Sequence, residues 1–146
     1  KNMHTLHIRM LKHSKNAMCL ALKMKGAGLK ISYPGLPEHK GYETLKKQMN
    51  PDFGFGGMLS IDLGTSERAS RFMEMMEMND VGYLAVSLGY FKTLFSNSGK
   101  STSSEVPEDV QHDMGLSEGL VRFSVGLDHD IEHTWKNIQK CLKMME

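Results

Sequence analysis

The chain has 146 residues, of which 40% are hydrophobic and 24% charged, the size and composition of one globular domain with its own core. Its 18 basic and 17 acidic residues leave a net charge of +1, which argues against binding to nucleic acid or to a membrane surface. No apolar run approaches the ~20 residues that span a bilayer, and the N-terminus lacks a signal-peptide pattern. We therefore expect a cytoplasmic protein.

The first half of the chain predicts two helices and two strands. A long amphipathic helix is predicted over residues 3–26, because apolar residues recur there at alternating spacings of three and four. Residues 29–33 alternate in polarity, which is typical of a short strand. A short polar helix over 38–49, a loop with aromatic anchors over 50–57 and a strand over 57–63 follow.

The second half predicts two further strands, two longer helices and a short helix within one long irregular stretch. A helix that Thr65 or Ser66 caps is followed by a strand over 83–88. The irregular stretch covers 96–118 and includes a short helix around 107–113. A strand over 120–125 and a helix over 129–144 that Asp128 caps complete the chain. Together the elements favour an α+β fold: a small, mostly antiparallel sheet, covered by helices on one face and preceded by the long N-terminal helix. We expect this helix within residues 1–28 and the small domain within residues 29–146.

Three residue types could indicate special chemistry, and a structural role is favoured for each. Cys19 and Cys141 lie among apolar neighbours near opposite ends of the chain, as small buried thiols in a reducing compartment do. His129 and His133 would share one helical face, but no third or fourth ligand follows at a usable spacing, so no metal site is expected. Several of the 13 methionines fall on apolar helix faces, which favours core packing.

Five segments of the chain form a specific series of motifs. They are LHIRMLKHSKNAMCLA (6–21), YPGLPEH (33–39), GFGGMLSID (54–62), AVSLG (85–89) and GLSEGLVRFSVG (115–126). In this order they resemble the Cys/Met-metabolism enzymes that depend on pyridoxal 5'-phosphate (PLP), and the resemblance covers residues 5–140. The forms YPGLPEH, GGMLSID and SGKSTSSE are most similar to the plant-type methionine gamma-lyase branch of that family.

The resemblance implies an architecture and a reaction for the parent enzyme. The family forms homotetramers of fold-type-I subunits, each with a large PLP-binding domain and a small C-terminal domain, and this sequence is similar to the small domain. The implied reaction splits L-methionine into methanethiol, 2-oxobutanoate and ammonia. The family's Schiff-base lysine, in a Ser-x-Thr-Lys context, has no counterpart here. We therefore expect a homo-oligomer whose parent uses PLP, while this chain alone binds none covalently and is inactive.

Two alternatives stay open at this point. A cystathionine gamma-lyase or gamma-synthase would share the same motifs, because these bind features common to all the substrates. A stand-alone, non-catalytic interaction module could also keep this fold.

The substrate-binding residues implied by the resemblance are Arg122, Ser87 and Leu88. Arg122 lies inside a predicted strand, where an unpaired cation would be costly, and a guanidinium matches a carboxylate in bidentate fashion. On the pattern alone, Arg122 could also lie on the solvated face of an edge strand. The resemblance implies that Arg122 binds the α-carboxylate of an amino acid, that Ser87 lines the same pocket, and that Leu88 forms its wall. We predict no catalytic, cofactor-binding or metal-binding residue in this chain.

Overall fold

A computed structural model of the chain describes residues 2–98, 107, 110 and 117–145. The helices within this part are α1 (Leu6–Gly26), α2 (Tyr42–Gln48), α3 (Ser66–Met78) and α4 (Ile131–Lys143). The strands are β1 (Lys30–Ser32), β2 (Met58–Asp62), β3 (Gly82–Leu84), β4 (Thr93–Asn97) and β5 (Leu120–Ser124). Short 3-10 turns lie at Asn2–Thr5 and at Pro51–Phe53.

The strands form a sheet in the order β1-β2-β5-β4-β3. Neighbouring strands are antiparallel, except that β3 and β4 are parallel. Alternate residues of β2 and β5 (Leu59, Ile61, Val121 and Phe123) are buried in one cluster with side chains of α1, α3 and α4. The predicted α+β fold, with a mostly antiparallel sheet covered by helices on one face, is confirmed.

The strand predicted over 83–88 is wrong in its extent. β3 ends at Leu84, and the side chains of Val86 and Leu88 are 58% and 66% exposed. The apolar run therefore marks an exposed segment and not a buried strand. Most of the irregular stretch predicted over 96–118, including most of its short helix, lies outside the described residues.

The sequence pattern does not reveal β4. All five of its residues are buried, but Thr93, Ser96 and Asn97 are polar. Neither an alternation of polarity nor an apolar run therefore marks this strand. The strand nevertheless completes the sheet between β5 and β3.

The predicted cap of the last helix is also wrong. The helix α4 begins at Ile131, and the Oδ1 atom of Asp130 accepts a hydrogen bond from the backbone N–H of His133 (3.0 Å). Asp128 instead accepts a hydrogen bond from the Thr134 hydroxyl (3.0 Å). Two aspartates lie two residues apart before the same apolar face, so the local pattern cannot choose between them. The predicted cap at Thr65 of α3 is confirmed.

The two ends of α1 differ in burial. Ala17, Leu20 and Met24 are fully buried, whereas Leu6 and Ile8 are exposed. The predicted apolar face is thus covered only along the second part of the helix, which packs against α4 and the sheet.

The cysteines and methionines singled out in the sequence differ in how deeply they are buried. The thiols of Cys19 and Cys141 are both free, but only Cys141 is fully buried; Cys19 is half-buried. Met24, Met73 and Met76 are buried in the core, as predicted. In the part of the chain described here, no group of three His, Cys, Asp or Glu side chains could hold a metal ion, and no helix is long and apolar enough to cross a membrane.

Candidate functional site

Arg122 lies in the middle of β5, on the sheet face that points away from the core. Its neighbours in the strand, Val121 and Phe123, are completely buried on the opposite face. In the register of the sheet, Arg122 is directly opposite Ser60 of β2 and Ser96 of β4. Side chains at directly opposite positions of an antiparallel pair share a face, so Arg122 stands between two serines. It belongs to a central strand and not to an edge.

The guanidinium group of Arg122 reaches from the sheet to the exposed segment Ala85–Gly89, which we call the 85–89 segment. Its Nη2 atom donates hydrogen bonds to the backbone carbonyl oxygens of Val86 (2.9 Å) and Ser87 (3.2 Å). The structure therefore brings together two of the three predicted site residues, although they are 35 positions apart in the chain. Arg122 contacts Ser87 through the backbone carbonyl and not through the hydroxyl.

Among the residues that the structure describes, no carboxylate forms an ion pair with Arg122. The ion pairs found among the described residues involve lysines, at Lys23, Lys25, Lys30 and Lys92. A half-buried guanidinium whose partners are neutral carbonyls retains its charge for an anion. In addition, its Nε atom is buried and has no hydrogen-bond partner in the described part of the chain.

The carboxylate of Asp62, diagonal to Arg122 on the same sheet face, already binds Lys30 and Ser117. Its Oδ2 atom lies 2.6 Å from the Lys30 ammonium, and its Oδ1 atom accepts a hydrogen bond from the Ser117 hydroxyl. Desolvation acts to raise the pKa of Asp62, but hydrogen bonds, led by those from Lys30 and Ser117, outweigh it and hold this pKa below its ordinary value. Asp62 therefore remains ionised and paired with Lys30, and it does not compensate Arg122.

Leu88 and Gly89 form the next part of the 85–89 segment. Leu88 is largely exposed, and Gly89 has a positive φ of 70° that favours glycine. The backbone N–H of Gly89 donates to the hydroxyl of the buried Ser124 (3.0 Å), which anchors the segment to the end of β5. A small cavity of about 80 Å³ lies between Leu88, Gly89 and Ser124 on one side and His13 of α1 on the other. Leu88 thus lines this cavity, whose lining does not include Arg122 or Ser87.

Two polar residues on the buried face of α1 hold the chain just after β5. The Nδ1 atom of His13 lies 2.6 Å from the carbonyl oxygen of Val125, and the Asn16 side chain donates to the carbonyl oxygens of Gly126 (3.0 Å) and Asp128 (2.9 Å). Both side chains are buried. Sequence reasoning assigned neither a role, and the signal that could have found them is a polar residue on an otherwise apolar helix face.

The backbone crowding around position 126 explains why the GLVRFSVG motif ends in glycine. A Cβ atom at this position would lie 2.5 Å from the carbonyl oxygen of Phe91 and 2.6 Å from the backbone nitrogen of Thr93. The backbone N–H of Gly126 also donates to the Thr93 hydroxyl (2.9 Å). The end of β5 therefore contacts the start of β4 at backbone distance, which fixes the strand that carries Arg122 against its neighbour.

The chain belongs to the family of Cys/Met metabolism PLP-dependent enzymes, whose sequence model matches residues 1–143. A methionine gamma-lyase of Arabidopsis thaliana is 42% identical over 141 residues, which are 96% of this chain and 32% of that enzyme. A cystathionine beta-lyase of Lactococcus lactis subsp. cremoris is 34% identical, over 98% of this chain and 36% of that enzyme. A cystathionine gamma-lyase of Bacillus subtilis is 32% identical, again over 98% and 36%. The chain thus spans about a third of the length of these relatives.

A solved structure has the same fold. It is a Campylobacter jejuni protein described as an O-acetylhomoserine (thiol)-lyase, and it contains N'-pyridoxyl-lysine-5'-monophosphate. The two structures align with a TM-score of 0.85 and 25% sequence identity, over 95% of this chain and 32% of that chain. The family resemblance of the five motifs is therefore confirmed by sequence and by fold.

The groups around Arg122 fit an anion but do not fit the attachment of the family's cofactor. They are a guanidinium, backbone carbonyl and amide groups, and hydroxyl groups. An attachment point for PLP requires a lysine amine, and Lys30, which approaches this sheet face, is engaged with Asp62. Within the described residues, the site thus offers one cationic donor group together with neutral hydrogen-bonding groups.

Proposed function

We propose that this chain is the C-terminal domain of a PLP-dependent carbon–sulfur lyase of the methionine gamma-lyase type, and that Arg122 binds the α-carboxylate of its amino-acid substrate. The observation that supports the second part is a half-buried guanidinium that pairs with no carboxylate in the described part of the chain. Ser87 and Leu88 line the same pocket, on the segment that Arg122 contacts. The 42% identity to a methionine gamma-lyase supports the substrate class.

The contacts of Arg122 define how a carboxylate would approach. A guanidinium offers two forks, one formed by Nη1 and Nη2 and the other by Nε and Nη2. Nη2 donates to two carbonyl oxygens, and Nε is buried. A carboxylate therefore meets Nη1 first, and it completes a bidentate pair when one carbonyl of the 85–89 segment gives up its contact with Nη2. Substrate binding is thereby coupled to the position of Ser87.

The role of this chain is to bind and orient the substrate. PLP, when bound, supplies the electron sink for cleavage of the carbon–sulfur bond; in this proposal it is held by residues that correspond to the other two thirds of the relatives' length. Fixing the carboxylate restricts the substrate to the orientation in which its reacting bonds face the cofactor. Cystathionine lyases are a second candidate activity, because relatives with those names match at 32–34% identity over nearly the whole chain.

The test uses Arg122→Ala and Arg122→Lys in the enzyme that contains this chain. Removing one partner of a charged hydrogen-bonded pair costs about 2–5 kcal/mol, so kcat/KM for L-methionine should fall roughly 30-fold or more at ~1.4 kcal/mol per decade. Lysine should restore little, because an ammonium lacks the planar fork.

A pair of ligands separates recognition from folding. L-methioninamide carries an uncharged amide in place of the carboxylate, so it should bind more weakly than L-methionine to the wild type and nearly equally to Arg122→Ala. If Arg122→Ala weakens both ligands by the same factor, Arg122 is structural and the carboxylate role is wrong.

A further inference from the structure

The two serines that flank Arg122 differ in burial. Ser96 of β4 is 4% exposed, and its hydroxyl oxygen is buried without a hydrogen-bond partner among the described residues. Ser60 of β2, on the other side of Arg122, is half-buried, and its hydroxyl is not among the buried unpartnered atoms. The hydroxyl of Ser60 can therefore be satisfied by water, whereas that of Ser96 needs a partner from the protein.

Arg122 offers the matching unpartnered group. Its Nε–H is buried, so neither water nor a bound carboxylate reaches it, and Nε can only donate a hydrogen bond. A serine hydroxyl can accept one. The register places Ser96 directly opposite Arg122, where the Cβ atoms of an antiparallel pair are about 4.5–5.5 Å apart. An unpartnered donor, the Nε–H of Arg122, and an unpartnered acceptor, the Ser96 hydroxyl, thus lie on adjacent positions of one sheet face in the described part of the chain.

We propose that Ser96 is the positioning residue of Arg122, accepting a hydrogen bond from its Nε–H. The register places the two side chains beside each other on one sheet face, within reach of a hydrogen bond. The bond fixes the plane of the guanidinium, because Nε lies within it. With that plane fixed, Nη2 faces the carbonyls of Val86 and Ser87 and Nη1 faces the incoming anion. The functional consequence rests on the proposed carboxylate role of Arg122, but the hydrogen bond itself does not.

The hydrogen bond is tested by NMR on the chain itself, through the Nε–Hε signal of Arg122, assigned by its loss in Arg122→Lys. In Ser96→Ala we expect solvent exchange of this proton to accelerate about tenfold, the factor that loss of a hydrogen bond to a charged group corresponds to, with a change in the 15N shift. Ser96→Thr keeps the hydroxyl and should keep slow exchange. The matched control, Ser60→Ala, should leave the signal unchanged.

Two NMR results would contradict the positioning role of Ser96. If exchange and shift in Ser96→Ala equal those of the wild type, or if Ser60→Ala is the variant that changes them, Ser96 does not position Arg122. Unchanged backbone amide shifts in the rest of the sheet show that Ser96→Ala is folded, so a negative result cannot be assigned to unfolding.

A kinetic arm separates this proposal from the proposed function. In the enzyme, Ser96→Ala should raise KM for L-methionine several-fold more than it lowers kcat, and it should reduce the preference for methionine over methioninamide; Ser96→Thr should restore both. If the Nε signal responds to Ser96→Ala while Arg122→Ala leaves that preference unchanged, the positioning role stands and the carboxylate role fails. If the Nε signal does not respond, the positioning role fails whatever the kinetics.

Discussion

Substitution of Asn16 by alanine tests whether α1 is tied to the strand that carries Arg122. Asn16 is 1% exposed, and its amide donates to the carbonyl oxygens of Gly126 and Asp128. Its removal leaves two acceptors unpaired, at about 1–3 kcal/mol for each one that is buried. Alanine is the better helix former by about 0.5 kcal/mol, which offsets a small part of the loss. We expect a net destabilisation of about 2–4 kcal/mol.

The measurement is urea unfolding of the wild type and of two variants of this chain. At about 2–4 °C per kcal/mol for a domain of this size, Asn16→Ala should also lower Tm by about 5–15 °C. Asn137→Ala is the matched control, because Asn137 is also in a helix but its amide contacts the ring of His133 at the surface; it should change stability by less than about 0.5 kcal/mol. Equal stabilities of the two variants would refute the reasoning, and the contacts of Asn16 would then carry no net free energy.

Three further predictions concern other parts of the chain. The backbone hydrogen bond from His133 lowers the pKa of Asp130, so the stability that this cap contributes is present at neutral pH and is lost as pH falls; Asp130→Asn should keep the cap and lose this pH dependence in denaturant unfolding. Burial raises the pKa of Tyr33 from 10.0 to about 12, so the unfolded state ionises first and stability falls as pH rises from about 10 to about 12. Tyr33→Phe should remove that fall, and a fall of the same size in the variant would exclude Tyr33 as its cause. Ile8 and Leu88 belong to exposed apolar surfaces, so the isolated chain should self-associate in sedimentation equilibrium; a monomer over a hundredfold concentration range would contradict this.

The elements that the sequence predicts well are those whose burial is periodic. The alternation in β2 and β5 and the spacing in α3 follow directly from one buried face. The pattern does not reveal β4, because two of its polar residues are buried through distant partners: Thr93 accepts from the N–H of Gly126, and Asn97 donates to the carbonyl oxygen of Glu118. No local pattern records a hydrogen bond across 21 or 33 residues.

The site, like the fold, could be predicted from the sequence only in part. The motifs imply Arg122 and Ser87 separately, but only the fold shows that the guanidinium contacts the backbone of the 85–89 segment. The exposure of Val86 and Leu88 is likewise invisible in a run of apolar letters, which is equally typical of a buried strand. Ser96 carries no motif signal, and its place beside Arg122 follows from strand register alone.

Arginine suits position 122 because of the planar arrangement of its donors, and not only because of its charge. The guanidinium must meet two carbonyl oxygens of the 85–89 segment and, in our proposal, leave Nη1 for an anion and donate to Ser96, all in one plane. An ammonium carries three donors arranged about a single atom and cannot span these partners. The same geometry couples the loop to the ligand, because a carboxylate that takes Nη2 competes with the carbonyls that position Ser87. In the proposed function, binding of the substrate and placement of the 85–89 segment are therefore one equilibrium, and a lysine at position 122 would disturb both.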